Sequence, residues 1–494
     1  MTGRLASRWA ACAAVVAVAL VCAGAAHAAL TLGFMDQEAL VQGTPSANGV
    51  WYDRARSVGA RVVRLNVIWP VIAPFAPPDP TQAQNPSWSR YYFTEMDAAV
   101  RAARARGLRV LITVTYAPTW AEGSDAPPGA PYGAWKPDPT QLGYFATALA
   151  RRYSGAFRDP LDRRRMLPQV DSFQGWNEPN LTHYLAPQWS TQNGQLVNVA
   201  APWYRRMLNA FYAGIKQVQP AATIVAAGMS PYGDYPLGGS RTPPAVFWRD
   251  VLCLQGDLSA TACPDPAHFD VVDSHPYDIK GPLHAAVLWG DLTLPDIGKL
   301  RRIVLAAQRQ QTVVPAANKQ YWVTEFSWDS NPPDPGGVSV QLQAHWLEEA
   351  FEVLWSQGVN MIAWYKVGDA PPIPSYSTTY QSGVFLLNGA AKPAATAFRF
   401  PFVVRCPKPG NRNAIVSCLA WGKSPARKVL IERLVGGRWR HLLMPRESPD
   451  GVFAARLRLS QGAILRAVAL SSARSAAPNE LSLNWRVNPL GDGL

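Results

Sequence analysis

The chain has 494 residues, of which 48% are hydrophobic and 16% are charged, and this balance excludes an intrinsically disordered protein. Its length exceeds what one hydrophobic core usually serves, which predicts a large domain together with a small one. The formal net charge is +13, and the 19 tryptophans predict an aromatic-rich core, surfaces that stack on flat and weakly polar rings, or both.

The N-terminus has the pattern of a secretory signal peptide. Arg4 and Arg8 form a basic start, residues 9–24 are apolar, and Ala26-His27-Ala28 offers small residues where a signal peptidase acts. The apolar stretch is short for a membrane span, and no later window is apolar enough to cross a membrane. We therefore predict a cleaved signal peptide over residues 1–28 and a secreted mature chain, either extracellular or associated with the periplasm or cell wall.

Between residues 29 and 400, short β-rich runs alternate with longer segments of helical periodicity. Helical stripes cover residues 92–106, 202–219 and 341–357. Eight strands are predicted, over residues 30–35, 61–67, 108–115, 170–176, 223–229, 269–274, 320–324 and 360–365. This alternation predicts an α/β fold, a (β/α)8 TIM barrel of parallel strands. An open doubly wound sheet is the structural alternative, but Gly33-Phe34-Met35-Asp36 is not the glycine-rich phosphate turn of such a sheet.

Residues 401–494 predict a small C-terminal all-β sandwich domain. Turn signals at Gly436-Gly437 and Pro449-Asp450-Gly451 separate strand-like runs over residues 429–433, 439–443, 453–459 and 465–470. This segment holds 15 lysines and arginines against 5 aspartates and glutamates. An acidic glycan or the cell envelope is therefore a candidate partner, and a solvated basic β-surface is the alternative interpretation.

Cysteine usage agrees with export. Two of the six cysteines fall in the predicted signal peptide, and the four that remain form two pairs that are close in sequence. The simplest of the three connectivities gives the disulfides Cys253–Cys263 and Cys406–Cys418. No close Cys/His quartet suggests zinc, and no metal, nucleotide or other cofactor site is predicted.

Two glutamates stand where predicted strands end. Asn177-Glu178-Pro179 follows the fourth strand, and Glu325 follows the seventh. In a barrel, side chains at the C-terminal ends of the strands point into the active site. Cleavage of a glycosidic bond needs two carboxyl groups, one to protonate the leaving oxygen and one to attack the anomeric carbon or activate water. The sequence therefore predicts that Glu178 and Glu325 act together as catalytic residues.

In these motifs the chain resembles the retaining glycoside hydrolases of the clan with catalytic acids on barrel strands four and seven, and it is most similar to glycoside hydrolase family 39. The resemblance covers about residues 30–400 and implies that Glu178 is the acid/base and Glu325 the nucleophile of a double displacement. It implies further that Arg64 hydrogen-bonds the nucleophile and that Asn177 binds the sugar 2-hydroxyl. Further residues that would line or orient the site are His275, Tyr277 and Trp364, with Trp69, Trp120 and Trp135 as candidate subsite aromatics.

Each of these residues also has a structural interpretation. Glu178 could cap a helix, Glu325 could pair with Arg64 in a purely structural ion pair, and the histidine, tyrosine and tryptophans could belong to the core. At the level of the whole protein, the alternative to a secreted hydrolase of oligo- or polysaccharides is a non-catalytic protein that binds carbohydrate or the cell envelope on a hydrolase-like barrel. Nucleic acid is not an expected partner of an exported chain, and no membrane span is expected in the mature chain.

Overall fold

A computed structural model describes residues 29–317, 319–407, 414–425, 428–470 and 480–487, so the predicted signal peptide lies outside the described residues. Eight parallel strands close into a barrel in the order β1-β8-β7-β6-β5-β4-β3-β2. The strands are β1 (Thr31–Met35), β2 (Val62–Ile68), β3 (Arg109–Thr115), β4 (Ser172–Gly175), β5 (Thr223–Ala226), β6 (Val271–Ser274), β7 (Gln320–Val323) and β8 (Met361–Tyr365). Each overlaps one of the eight predicted strands, and the predicted fold class is confirmed.

One main helix follows each barrel strand. These helices are α1 (Pro45–Ser57), α2 (Thr94–Ala105), α3 (Pro139–Arg152), α4 (Ala200–Lys216), α5 (Pro244–Val251), α6 (Ile297–Arg309), α7 (Val340–Ser356) and α8 (Pro393–Arg399). Several begin at side-chain caps: Asp138 accepts hydrogen bonds from the backbone of Thr140 and Gln141, and Ser339 accepts one from Leu342. Shorter helical turns lie in the loops, at Gln37–Leu40, Trp69–Ile72, Pro80–Ala83, Thr119–Ala121, Leu294–Asp296 and Tyr376–Thr378.

The interior of the barrel has an apolar layer below and a polar layer above. Side chains alternate between the two faces of a strand, so every second residue of a barrel strand points inward. The apolar layer consists of Val62, Leu111, Val225, Val271, Trp322, Met361 and Ala363. Two residues further along four of these strands, toward the C-terminal mouth, stand the polar side chains Arg64, Thr113, Asp273 and Thr324. The polar side chains therefore lie near the mouth of the barrel, directly above the buried apolar layer.

The C-terminal strands form two antiparallel sheets. One has the order β9-β10-β13 and the other the order β12-β11-β14-β15, with β16 also paired to β14. Their bounds are β9 (Phe402–Arg405), β10 (Ile415–Lys423), β11 (Val429–Val435), β12 (Arg438–Leu443), β13 (Val452–Ser460), β14 (Ile464–Ala469), β15 (Glu480–Leu481) and β16 (Trp485–Arg486). The four predicted runs correspond to β11–β14, whereas β9 and β10 were not predicted. The domain boundary at residue 401 stays a prediction.

Several further segments complete the described chain. Three small ladders lie outside the main sheets: the hairpin Trp189–Gln192 with Gln195–Asn198, and the two-residue pairs Ala267–His268 with Val313–Val314 and Ser330–Asn331 with Val338–Ser339. Both predicted disulfides are present, Cys253–Cys263 and Cys406–Cys418. Over the described ranges, none of the helices has the length and apolar character that a membrane crossing requires.

Candidate active site

Glu178 and Glu325 lie at the mouth of the barrel, just beyond the ends of β4 and β7. Their side chains are 13% and 17% exposed, whereas His275 beside them is fully buried. Solvent therefore reaches both carboxyl groups from the mouth, while the groups that hold them are shielded from it.

The distances from His275 to the two carboxyl groups set an upper bound on their separation. Its Nδ1 lies 2.9 Å from Glu178 Oε1 and 4.0 Å from Glu325 Oε2. These two oxygens are therefore at most about 7 Å apart. That limit includes the roughly 5–5.5 Å carboxyl separation of retaining glycosidases and lies below most of the roughly 6.5–9.5 Å range of inverting ones.

Arg64 on β2 is the cation beside Glu325. Its guanidinium is buried and donates hydrogen bonds to Glu325 Oε2 (2.7 Å), Asn177 Oδ1 (2.5 Å) and Thr113 Oγ1 (2.9 Å). Because a guanidinium presents its N–H donors in fixed directions, these three bonds orient the side chains of three other barrel strands around it. Arg64 thus links Glu325 to the asparagine that precedes Glu178.

Glu325 is held as a carboxylate. Burial raises its pKa, but the positive charges of His275 and Arg64 and the hydrogen bond from the Tyr277 hydroxyl to Oε1 (2.9 Å) lower it by more. The net result is a pKa below the ordinary value of a glutamate. At neutral pH, Glu325 is therefore ionised and carries a hydrogen bond on each oxygen.

His275 contacts the other glutamate directly. Its Nδ1 lies against Glu178 Oε1, and its Nε2 lies 3.1 Å from Thr324 Oγ1. Burial lowers the pKa of His275, but the Glu325 charge and the hydrogen bonds with Asp273 and Glu178 outweigh burial and raise it to about 9. The imidazole therefore carries a positive charge at neutral pH.

The backbone around Glu178 is strained and clamped. Trp176 and Glu178 adopt positive φ angles of 94° and 37°, a region that residues other than glycine seldom occupy. The fully buried Asn180 side chain holds this turn, since it donates to the carbonyl oxygens of Ser230 and Thr242 and accepts from the Ser230 N–H. Asn180 directly follows the Asn177-Glu178-Pro179 motif, yet no role was predicted for it.

Beneath the glutamates, the polar layer also includes Gln174, and apart from Arg64 its members Thr113, Gln174, Asp273 and Thr324 were not predicted. All four are buried in the barrel interior. Thr113 donates to Gln174, Gln174 donates to Asp273, and Thr324 donates to Asp273 from both its backbone N–H and its hydroxyl. The signal in the sequence was the recurrence of polar residues inside otherwise apolar strands.

The structure corrects the expectation for Trp364. Its indole is fully buried, packs against Phe326 and Trp328, and donates to the Ser382 carbonyl oxygen, so it offers no open surface to a sugar. Inward positions on β8 are Met361 and Ala363, and by alternation the next is Tyr365. Burial and the nearby Glu325 raise the pKa of the Tyr365 hydroxyl well above its ordinary value, which indicates that Tyr365 faces the site.

The three loop tryptophans have different surroundings. Trp69 is fully buried with its ring stacked on Phe145, so it belongs to the core, which corrects its proposed role in a subsite. Trp120 and Trp135 are half-buried, and their indole nitrogens donate to the Ala73 carbonyl oxygen and the Asp125 carboxylate. These two remain candidate subsite aromatics.

An aromatic cluster on the Glu178 side was not predicted. Tyr116, His183 and Tyr184 contact one another, with ring centroids between 4.7 and 5.7 Å apart. Burial and then the Glu178 charge raise the pKa of the Tyr184 hydroxyl, which indicates that the cluster borders the acid. The missed signal was the aromatic pair His183-Tyr184, which begins four residues after Pro179 of the strand-four motif.

A cavity also flanks the Glu325 side of the site. One of about 270 Å³ is lined by Tyr232, Tyr277, Trp328, Asp329 and Tyr380 among others, and so adjoins Glu325 through Tyr277. A larger cavity of about 670 Å³ lies on the outside of the barrel between α2 and α3 and contains neither glutamate. Within the part of the chain that is described, no group of three or more His, Cys, Asp or Glu side chains is arranged to hold a metal ion.

Comparison with known proteins establishes the fold. No protein-family model and no curated protein matches the sequence. Among solved structures, a family 39 glycoside hydrolase from Bacteroides cellulosilyticus WH2 is similar at a TM-score of 0.53 and 16% identity, over 90% of this chain and 81% of that chain. A GH30 endoxylanase from Clostridium papyrosolvens C71 gives a TM-score of 0.47 at 12% identity, over 87% of this chain and 94% of that one. The chain therefore shares a (β/α)8-barrel fold with that family 39 structure.

Proposed function

We propose that the protein is a secreted retaining glycoside hydrolase that cleaves O-glycosidic bonds in an oligo- or polysaccharide. The observation that carries the proposal is the convergence of two solvent-reachable carboxyl groups, at most about 7 Å apart, at the mouth of the barrel. Glu325 is held ionised by His275, Arg64 and Tyr277, and Glu178 contacts His275 directly. We assign the ionised Glu325 as the nucleophile and Glu178 as the acid/base.

The reaction begins with attack of a Glu325 oxygen on the anomeric carbon. The bond from that carbon to the leaving oxygen breaks as Glu178 gives the oxygen a proton, and a covalent glycosyl-enzyme forms. Glu178, now a carboxylate, then takes a proton from water, and the water oxygen replaces Glu325 at the anomeric carbon. Two displacements at one carbon retain its configuration.

The neighbouring residues position these steps. Asn177 Oδ1 accepts from Arg64, which leaves its side-chain NH₂ as the donor for the sugar 2-hydroxyl. Tyr365 would face the cleaved sugar from β8, and the cluster of Tyr116, His183 and Tyr184 would contact the leaving group beside Glu178. His275 supports Glu178 from below.

Substitution of each glutamate by glutamine tests the proposal. On a substrate found in a polysaccharide panel, Glu325→Gln should lower kcat/KM by at least about a thousandfold, because the nucleophile is lost. Glu178→Gln should lower it by about a hundredfold or more for a poor leaving group, and by much less for an activated aryl glycoside that leaves without protonation. Glu95→Gln, an exposed glutamate on α2, is the matched control and should behave as the parent.

Two results would contradict the proposal. Hydrolysis by Glu178→Gln and Glu325→Gln at the parental rate would exclude both glutamates as catalysts. A first-formed product with inverted anomeric configuration, followed by NMR, would exclude the double displacement.

We propose further that the C-terminal strands bind an acidic glycan or the anionic cell envelope. Arg433 on β11 pairs directly with Arg440 on β12, and Arg438 is exposed on the same face. Like charges directly opposite each other in a sheet are unfavourable unless an anion neutralises them. In a heparin-column assay, the double variant Arg438→Gln/Arg440→Gln should elute at lower salt than the parent, and the matched variant Arg456→Gln/Arg458→Gln on β13 should not. Equal elution of parent and first variant would refute the idea.

A further inference from the structure

Asp273 determines the directions of the hydrogen bonds beneath the glutamates. It is fully buried at the end of β6, and all of its partners are donors: the N–H groups of Ser274 (2.8 Å) and Thr324 (3.0 Å), the Gln174 amide (2.6 Å) and the Thr324 hydroxyl. An ionised carboxylate only accepts hydrogen bonds, so the single hydroxyl proton of Thr324 points at Asp273.

The direction of the Thr324 hydroxyl determines the protonation of His275 Nε2. Since the Thr324 hydroxyl donates its hydrogen to Asp273, only the lone pairs of Oγ1 face His275 Nε2, at 3.1 Å. Nε2 must therefore carry a hydrogen and donate it. The backbone of Gly228 also packs closely against the ring, since a Cβ there would lie 2.2 Å from His275 Nε2 and 2.7 Å from Asp273 Oδ2. Nδ1 is consequently the nitrogen that gains or loses a proton, and it faces Glu178 Oε1.

We infer that Asp273 is a positioning residue that acts through Thr324 to keep both nitrogens of His275 protonated, so that the Nδ1 hydrogen occupies Glu178 Oε1 and the donated proton resides on Oε2. This inference rests on the proposed function. When Nδ1 loses its proton it becomes an acceptor and draws the Glu178 proton to Oε1, toward the histidine. The acid then has no proton directed at the leaving oxygen, and hydrolysis slows.

The charges around His275 agree with a cation there. Glu178 faces it from the loop after β4, Glu325 from the loop after β7 and Asp273 from its own strand, while Arg64 on β2 is the opposing positive charge. The Glu325 charge and the hydrogen bonds with Asp273 and Glu178 outweigh burial and Arg64 and raise the pKa of His275 to about 9. Activity on substrates with poor leaving groups should therefore fall as the pH rises through the pKa of His275.

Thr324→Val tests the inference with little change in shape, and Thr324→Ser restores the hydroxyl. At pH 8, Thr324→Val should lower kcat/KM about tenfold for a poor leaving group and less than about twofold for an activated aryl glycoside, with the basic limb of its pH profile at lower pH. Asp273→Asn should move the limb in the same direction, because it removes a negative charge beside His275. Thr324→Ser should recover most of the loss.

Other outcomes would overturn the inference. Equal losses on both kinds of substrate, or a basic limb that stays in place, would mean that Thr324 and Asp273 serve only the fold. Nitrogen-15 NMR of the parent protein at pH 7 gives a readout independent of turnover, and a His275 Nε2 without hydrogen would also refute the inference. If Glu178→Gln and Glu325→Gln keep parental activity, the proposed function itself fails; if they are inactive while Thr324→Val matches the parent, only this inference fails.

Discussion

Replacing Tyr277 with phenylalanine removes a single hydroxyl group, which donates a 2.9 Å hydrogen bond to Glu325 Oε1. A hydrogen bond to a charged group contributes about 1.5–3 kcal/mol. Because one pKa unit corresponds to about 1.4 kcal/mol, complete loss of this bond would raise the pKa of Glu325 by about 1–2 units. Arg64 keeps its ion pair with Oε2, so we expect a shift near the lower end, about one unit.

The direction in which the pH profile shifts follows from the role of Glu325 as the nucleophile. The nucleophile must be ionised, so the acidic limb of the kcat/KM profile tracks its pKa and should move to higher pH in Tyr277→Phe. The substitution should also reduce the contribution of ionised Glu325 to the free energy of unfolding. Since folding lowers the pKa of Glu325, the ionised form contributes stability above the unfolded pKa, and that contribution is lost as pH falls through the folded pKa. Tyr277→Phe should reduce it.

The assay is a pH profile of kcat/KM from pH 3 to 8 on an activated aryl glycoside, with thermal unfolding measured at the same pH values. Tyr232→Phe is the matched control, because its hydroxyl donates to a different carboxylate, Asp278, at 3.1 Å. The control should leave the acidic limb in place. An acidic limb of Tyr277→Phe that coincides with that of the parent would refute the assignment of Tyr277 as the residue that keeps Glu325 ionised.

Three further predictions concern the supports of the site. Asn180→Ala removes three hydrogen bonds of a buried side chain and should lower the free energy of unfolding by about 2–3 kcal/mol in urea titrations, with a fall in kcat as the Glu178 turn loosens. Cys406→Ser opens the disulfide to Cys418, and calorimetry should show a loss of about 2–4 kcal/mol with kcat/KM unchanged. Tyr365→Ala should raise KM or lower kcat without unfolding the protein, whereas Trp364→Ala should destabilise it by about 3–5 kcal/mol in the same titrations.

The barrel was predictable because each strand is a short apolar run bounded by turn or helix signals. The β9 strand was not predicted because it follows Pro401 directly, at the predicted domain boundary, and β10 was not predicted because Ser417 interrupts its apolar residues. The convergence of Glu178 and Glu325 was predictable once the strands had been counted. In a closed barrel, residues that follow different strands meet at one mouth regardless of their separation in sequence.

The error at Trp364 has a specific physical cause. Side chains alternate along a strand, so a shift of one residue in the assumed phase exchanges the inward and outward faces. The pair Trp364-Tyr365 offers an aromatic residue to either face, and the sequence does not show which one points inward. The inward phase becomes clear only from Met361 and Ala363, which pack with the apolar layer.

The polar layer explains why two glutamates on similar strands can have different chemistry. Two cations lie beside Glu325, His275 and Arg64, and because Arg64 cannot lose its proton, part of the support for the Glu325 carboxylate remains at every working pH. Glu178 is paired with His275, a group that titrates, so the field around Glu178 can change with pH. Both partners connect to the same buried carboxylate: Arg64 through Thr113 and Gln174, and His275 through Thr324. A change at Asp273 is therefore transmitted to both glutamates, and its effect depends on pH because His275, which faces both of them, can respond by losing a proton.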